Sequence, residues 1–404
     1  MLAMTAHHEG RLRGFRADVA FDGDRALDGG ALVLIADKVI VGVEPASAAA
    51  PAGCDVTYAP GTTLLPGLID THVHLCGDGT PQALDKLPEL SADELTDIIA
   101  TALQTQLRAG VTSVRDLGDI DWAVVDRRGN RPGEPHVMAS GPPITSVGGH
   151  CANMGGAVAG RAALVAAVRE RAERGVDTVK IMTSGGLMTV ATDVLACQFT
   201  LDEVRLVVRE AHRMGLSVTA HAHALAAVEQ SVEAGVDGIE HGTCFTAEGL
   251  RTPPELAARI AAARIAVGPT LGMDHSVPVL PRIQAALQRT GTTWELRLAQ
   301  AREMYDAGVL LISGSDAGIT PGKRHGILPE AVVELSTIGA TAAEALASAT
   351  GLAADACGLA DRTGRLRPGL AADLLVVDGN ALADVRALRA PRTVVARGRA
   401  GSMP

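Results

Sequence analysis

The chain has 404 residues, more than the usual single-domain range, which leaves room for one large barrel or for a barrel with a smaller companion. Hydrophobic residues make up 47% and charged residues 20%, but aromatics only 2%, so the core must be built from Leu, Val, Ile and Ala. A net charge of -10 and the shortage of rings for base stacking argue against nucleic-acid binding.

The six cysteines (Cys54, Cys76, Cys151, Cys197, Cys244 and Cys357) form no CxxC pair, so neither a zinc ribbon nor a disulfide framework is expected. The start of the chain has no apolar signal core, and no segment offers the ~18 consecutive apolar residues of a membrane span. The expectation is a cytoplasmic protein with no membrane partner.

From residue 15 to 63, short apolar runs at 31–35, 38–42 and 56–58 alternate with turn signals and read as strands of a small sheet. The middle of the chain has strand-like runs at 64–69, 112–115, 135–138, 178–182, 216–220, 238–240, 265–267 and 309–312. Between most of them lie helical patterns at 92–109, 161–174, 202–214, 224–233, 254–263 and 293–307. Gly110, Gly175, Gly215, Gly235 and Gly308 stand where these helices would end. The alternation predicts an α/β fold, a (β/α)8 TIM barrel, with an open doubly wound sheet as its competitor. Runs at 372–377 and 393–396 repeat the β character of the start, so both ends are expected to build one small β-sandwich. The expected domains are 1–64 (first part of the sandwich), 65–355 (the barrel) and 356–404 (the remainder of the sandwich).

Chemistry in such barrels gathers where strands end and loops begin. Strand one runs into His72 and His74, and residues i and i+2 of a strand share a face, so the pair can aim at one metal. Alone, such a pair is more often an accident of a polar strand end. Later strand ends carry Lys180, then His221 and His223, then His241, then Asp316, so five of the 12 histidines fall at these positions. Each has a bland alternative: Lys180 snorkelling to the rim, His221 and His223 bonded to carbonyls, Asp316 capping a turn, His241 paired with Glu240 at the surface. Their coincidence favours a metal site. Arg115 and Asp116 read as a structural ion pair, and His275, Arg324 and His325 as loop residues able to bind a substrate carboxylate. The glycine-containing run ending in Lys323 is one residue short of a phosphate loop and lacks its Ser/Thr. Cys76, Cys151 and Cys244 read as packing residues rather than soft ligands.

The segments 66–74, 180–186, 220–223, 239–243 and 314–318 resemble strand motifs of the amidohydrolase superfamily, and 364–377 resembles its closing β-sandwich. Within it, the imidazolonepropionase-related branch with Xaa-Pro dipeptidases (prolidases) and ochratoxin-type amidases is the nearest likeness. The resemblance implies a metal-dependent hydrolase of carbon–nitrogen bonds with Lys180 as N6-carboxylysine bridging two divalent ions, most often zinc. His72, His74 and Asp316 would hold the first ion and His221 and His241 the second; His221 is preferred to His223 because the family's ligand is the first histidine of that motif. A hydroxide between the ions would attack the carbonyl, and Asp316 would carry the proton to the leaving nitrogen, so Asp316, Lys180 and His241 form the implied catalytic set. His150 stands where the family places a substrate-contacting histidine, and His223 is a second candidate for that role. The implied partner is a small-molecule amide such as a dipeptide, N-acyl amino acid or amide natural product, and the implied assembly a homo-oligomer. A cyclic-amide hydrolase or deaminase is the alternative, disfavoured because those relatives lack the strand-four lysine. A silent scaffold is weaker still, since all six ligand positions are filled.

Overall fold

The computed structural model describes residues 11–129, 131 and 133–400, so parts of both terminal segments, 1–10 and 401–404, lie outside the described residues. The middle of the chain alternates strand and helix. Strands one to three, Leu68–Val73, Val111–Asp116 and His136–Ala139, form a parallel sheet in chain order. Strands four to eight, Thr178–Met182, Ser217–Ala224, Gly238–Thr246, Ala266–Gly268 and Leu310–Leu311, form a second one, also in chain order. The ladders do not run unbroken between the two sheets. At one seam Ile144 bridges Ile181, and at the other Val73 bridges Ala317, both in parallel sense.

The helices Ala92–Arg108, Arg161–Glu173, Leu201–Arg213, Leu225–Ala234, Pro254–Ala262 and Trp294–Asp306 fall within a residue of the expected bounds. Their ends are written locally: Ser91 and Thr200 form capping boxes with Glu94 and Glu203, and Gly175 and Gly215 take left-handed φ values of 65° and 75° just past the last turn. The strands sort their side chains by alternation. Val179 and Ile181 join the core with Val168 and Val207 of the flanking helices, which leaves Lys180 on the opposite face.

Strand one begins later than the apolar run implies. Leu64, Leu65 and Pro66 end a strand, Asp55–Pro66, that pairs with Leu374–Asp378 of another sheet. The chain changes sheets at Gly67, where a Cβ would lie 2.2 Å from the Thr112 hydroxyl. A run that is apolar in both sheets gives no sign of the change.

Both ends of the chain meet in a mixed eight-stranded sheet whose hydrogen-bonded path is 399–400, 391–396, 374–378, 55–66, 13–21, 31–36 and 39–45, with Ala26–Leu27 beside Arg13–Phe21. Its edge strand Val39–Pro45 comes round to the residues that lead into Leu374–Asp378: Val39 bridges Ala371, and Ile40 N–H donates to the Leu370 carbonyl at 2.9 Å. Phe15, Val33, Ile35, Leu374 and Val395 share one apolar cluster. Arg365 ties this sheet to the helical layer, bonding Asp24 at 2.9 Å and Asp355 at 2.8 Å.

Candidate metal centre

His72 and His74 leave strand one on the same face, buried, with their Nε2 atoms 3.3 Å apart. Each Nε2 lies 3.3 Å from Asp316 Oδ1, so three donor atoms from strands one and eight converge. Asp316 is placed by a left-handed turn, φ 57°, and its N–H donates to the His72 carbonyl at 2.7 Å. The far nitrogens are held too: His72 Nδ1 lies 2.9 Å from Glu240 Oε2, and His74 Nδ1 3.1 Å from the Gly118 carbonyl.

His221, His223 and His241 form a second cluster whose donor atoms lie within 4.8 Å of one another. Thr243 takes the Nδ1 of His223 at 2.7 Å, Thr270 takes that of His241 at 2.9 Å, and the Gly185 carbonyl takes His221 Nε2 at 3.2 Å. Both strand-five histidines therefore enter the cluster, and the preference for His221 rests on the resemblance alone. Lys180 faces both clusters, its charge acting on His72 as on His221 and His241. It is buried, and its ammonium makes no hydrogen bond to any described residue.

Burial governs the electrostatics. It pulls His72 down to about 4 and His223 to about 3, and it holds His221 and His241 well below the ordinary imidazole range. His74 departs from this, since burial lowers it but the hydrogen bond and charge of Asp316 leave it raised. Burial likewise brings Lys180 down to about 8, against the pull of Glu240 and Asp316. For Asp316 burial raises the carboxyl, yet His72 and His74 bring it to about 2. Neutral imidazoles fixed by hydrogen bonds on their outer nitrogens, with one ionised carboxylate, are the donor set that a divalent transition ion takes.

Glu240 is not at the surface and does not pair with His241. It is buried, and besides His72 it accepts from Arg115 at 2.9 Å and Thr219 at 2.7 Å. Arg115 and Asp116 also have separate partners: Arg115 donates to the Thr71 carbonyl at 2.7 Å, and Asp116 accepts from the Leu75 N–H at 2.7 Å.

The clusters open into a cavity of about 250 Å³. His150 lines it, Nδ1 bonded to Thr189 at 2.8 Å and ring 4.6 Å from that of His221. His275 also lines it but is exposed and bonded to Glu334 at 3.1 Å. Arg324 and His325 are not brought to its walls; His325 is buried elsewhere and donates to the Gly77 carbonyl at 2.9 Å. Residues that sequence reasoning passed over do reach it. Lys323, set aside with the false phosphate loop, is buried with its ammonium on the carbonyls of Thr270 at 2.6 Å and Ser315 at 3.0 Å. Trp294 and Arg297 line the wall from one helix, and their only sequence signal is their place after strand seven.

The sequence profile of the amidohydrolase family matches residues 63–400. An uncharacterized protein of Mycobacterium tuberculosis is 30% identical over 354 residues, covering 86% of this chain and 87% of its own length. Ochratoxinase of Aspergillus niger is 28% identical over 366 residues, 82% of this chain and 73% of that enzyme. Among solved structures, a Xaa-Pro dipeptidase with bound methionine in its active site superposes with a TM-score of 0.84 at 25% identity, covering 97% of this chain and 100% of that one. The likeness takes in every strand of the two parallel sheets, and the chain belongs to the amidohydrolase family.

Proposed function

We propose that this hydrolase of carbon–nitrogen bonds is a two-metal amidase acting on the amide of a small molecule. Its two parallel sheets are read as one (β/α)8 barrel, which the bridges at both seams support. The terminal sheet, with its apolar cluster, is read as a β-sandwich, and the domains as 1–64, 65–355 and 356–404 with the first boundary moved on to Gly67, where the chain leaves the terminal sheet.

His72, His74 and Asp316 would hold one ion, His221 and His241 the other, with Lys180 carboxylated between them. Zinc suits a donor set dominated by neutral imidazole. When bound, such ions polarise a carbonyl and lower the pKa of water. The chain's own residues do the rest. Asp316 accepts the proton of the attacking water and delivers it to the departing nitrogen. His223 and His150 face the cavity and hydrogen-bond the amide carbonyl. The amide-cleaving names of ochratoxinase and the Xaa-Pro dipeptidase support this reaction type.

One observation carries the reading: Lys180 is a buried amine facing two donor clusters with no hydrogen bond to any described residue, and burial lowers its pKa to about 8, which favours the neutral form that captures CO2. The test is metal analysis with mutagenesis. About two zinc equivalents per chain are expected, with metal and activity lost in Lys180→Ala and partly restored by short carboxylic acids. One equivalent or none, with Lys180→Ala unchanged, refutes it.

A further inference from the structure

We propose that the substrate is an uncharged amide bearing a bulky apolar group, with no free carboxylate beside the scissile bond; this rests on the amidase reading above. The cavity walls supply the first argument. Met154, Met182, Met188 and Met273 line it, four of the ten methionines in the chain, together with Phe245 and Trp294. In so aromatic-poor a sequence, this concentration of thioethers and rings makes an adaptable apolar surface over the histidines. An apolar cavity of about 150 Å³ takes up benzene, so about 250 Å³ accommodates a ring together with its amide.

The second argument is the state of the cations. Recognition of a carboxylate calls for an available positive group, because burying an unpaired charge is costly. Arg297 lines the cavity, but its terminal nitrogens bond the Gln300 side chain and the carbonyls of His241 and, at 2.9 Å, Pro269. Lys323 gives its ammonium to three carbonyls, those of Thr270, Gly272 and Ser315. His275 is bonded to Glu334 at 3.1 Å. Lys180 belongs to the metal centre. Among the described residues, Arg297, Lys323 and His275 thus already direct hydrogen bonds to protein acceptors, and the wall beyond the metal ligands offers a substituent mainly methionine and aromatic surface.

N-acetylphenethylamine and N-acetylphenylalanine differ only by a carboxylate and make a matched pair. Binding is measured by calorimetry on the metal-free protein, and hydrolysis on the zinc-loaded protein. The neutral compound is expected to bind and to be cleaved at least about tenfold better, with a negative heat-capacity change on binding. Met273→Lys, at a partly exposed lining position, is expected to shrink that preference, and Val279→Lys is a second rim variant should the first fold poorly. Equal or better binding and cleavage of the carboxylate overturns the substrate class while leaving the amidase reading intact. If the neutral compound binds selectively but is not cleaved, the cavity's preference for uncharged apolar ligands stands and the amidase reading fails. Binding of neither compound overturns the class.

Discussion

Glu240 carries three side-chain hydrogen bonds on two oxygens, from His72, Arg115 and Thr219, at a fully buried position. Its room comes from Gly268 on the neighbouring strand, where a Cβ would fall 2.7 Å from Oε2. The carboxylate therefore fixes the ring of His72 from behind, and a neutral amide would do so less well. Glu240→Gln is expected to weaken metal affinity about 10–100-fold, measured by competition with a chelating dye; unchanged affinity would remove Glu240 from the site. The ligand candidates themselves were legible because i, i+2 histidines and lone polar residues at strand ends stand out against apolar runs. Glu240 was not, because its neighbour in sequence, His241, looked like its partner, and only the direction each side chain takes from the strand separates them.

The loops after strands seven and eight are joined by one side chain. Lys323 leaves the turn beyond Asp316 and reaches the carbonyls of Thr270 and Gly272 as well as Ser315. Two residues in this assembly, Thr270 and Asp316, hold left-handed backbone at φ 50° and 57°, a conformation that costs energy unless its surroundings enforce it. Lys323→Met removes the enforcement and orphans buried carbonyls, a loss of about 1–3 kcal/mol. It should appear as a lower unfolding temperature together with weaker metal retention. A variant as stable as the parent with full metal content contradicts this. At this scale the helices were readable where an end is marked, by a capping residue as at Ser91 and Thr200 or by a closing glycine as at Gly175 and Gly215. Pro281–Arg289 was not, because its apolar face is short, Ile283 with Leu287 one turn on, and only Ile283 is fully buried.

Over the whole molecule, the depressed histidines make stability depend on pH. In the metal-free chain burial brings His72 and His325 down to about 4 and His150 and His223 to about 3, and it holds His221 and His241 well below the ordinary imidazole value of 6.5. Between pH 6.5 and about 4 the unfolded chain binds more protons than the folded one, so this stability is fully present above 6.5 and is lost as the pH falls. Asp70 and Asp116, raised to about 6, Asp119, raised to about 8, and the raised His74 act in the opposite sense but are fewer. The metal-free protein should therefore unfold at a lower temperature at pH 5 than at pH 7. An equal or higher midpoint at pH 5 would show that these rings are not neutral in the fold. The α/β alternation was legible at this scale because each unit is local. The path of the terminal sheet was not, since its strands pair across hundreds of residues and no turn records the register.

That terminal sheet also sets an order of events during synthesis. Strand Asp55–Pro66 is flanked by Arg13–Phe21 on one side and by Leu374–Asp378 on the other. Its second edge has to wait for a neighbour made roughly 300 residues later, which at about 5–20 residues per second is about 15–60 s of translation. Throughout that interval the nascent chain carries an open row of amides and carbonyls, which any passing strand can adopt. The half-made protein is thus the form most exposed to aggregation, and it is the arrival of residues 374–396 from the ribosome that ends the exposure.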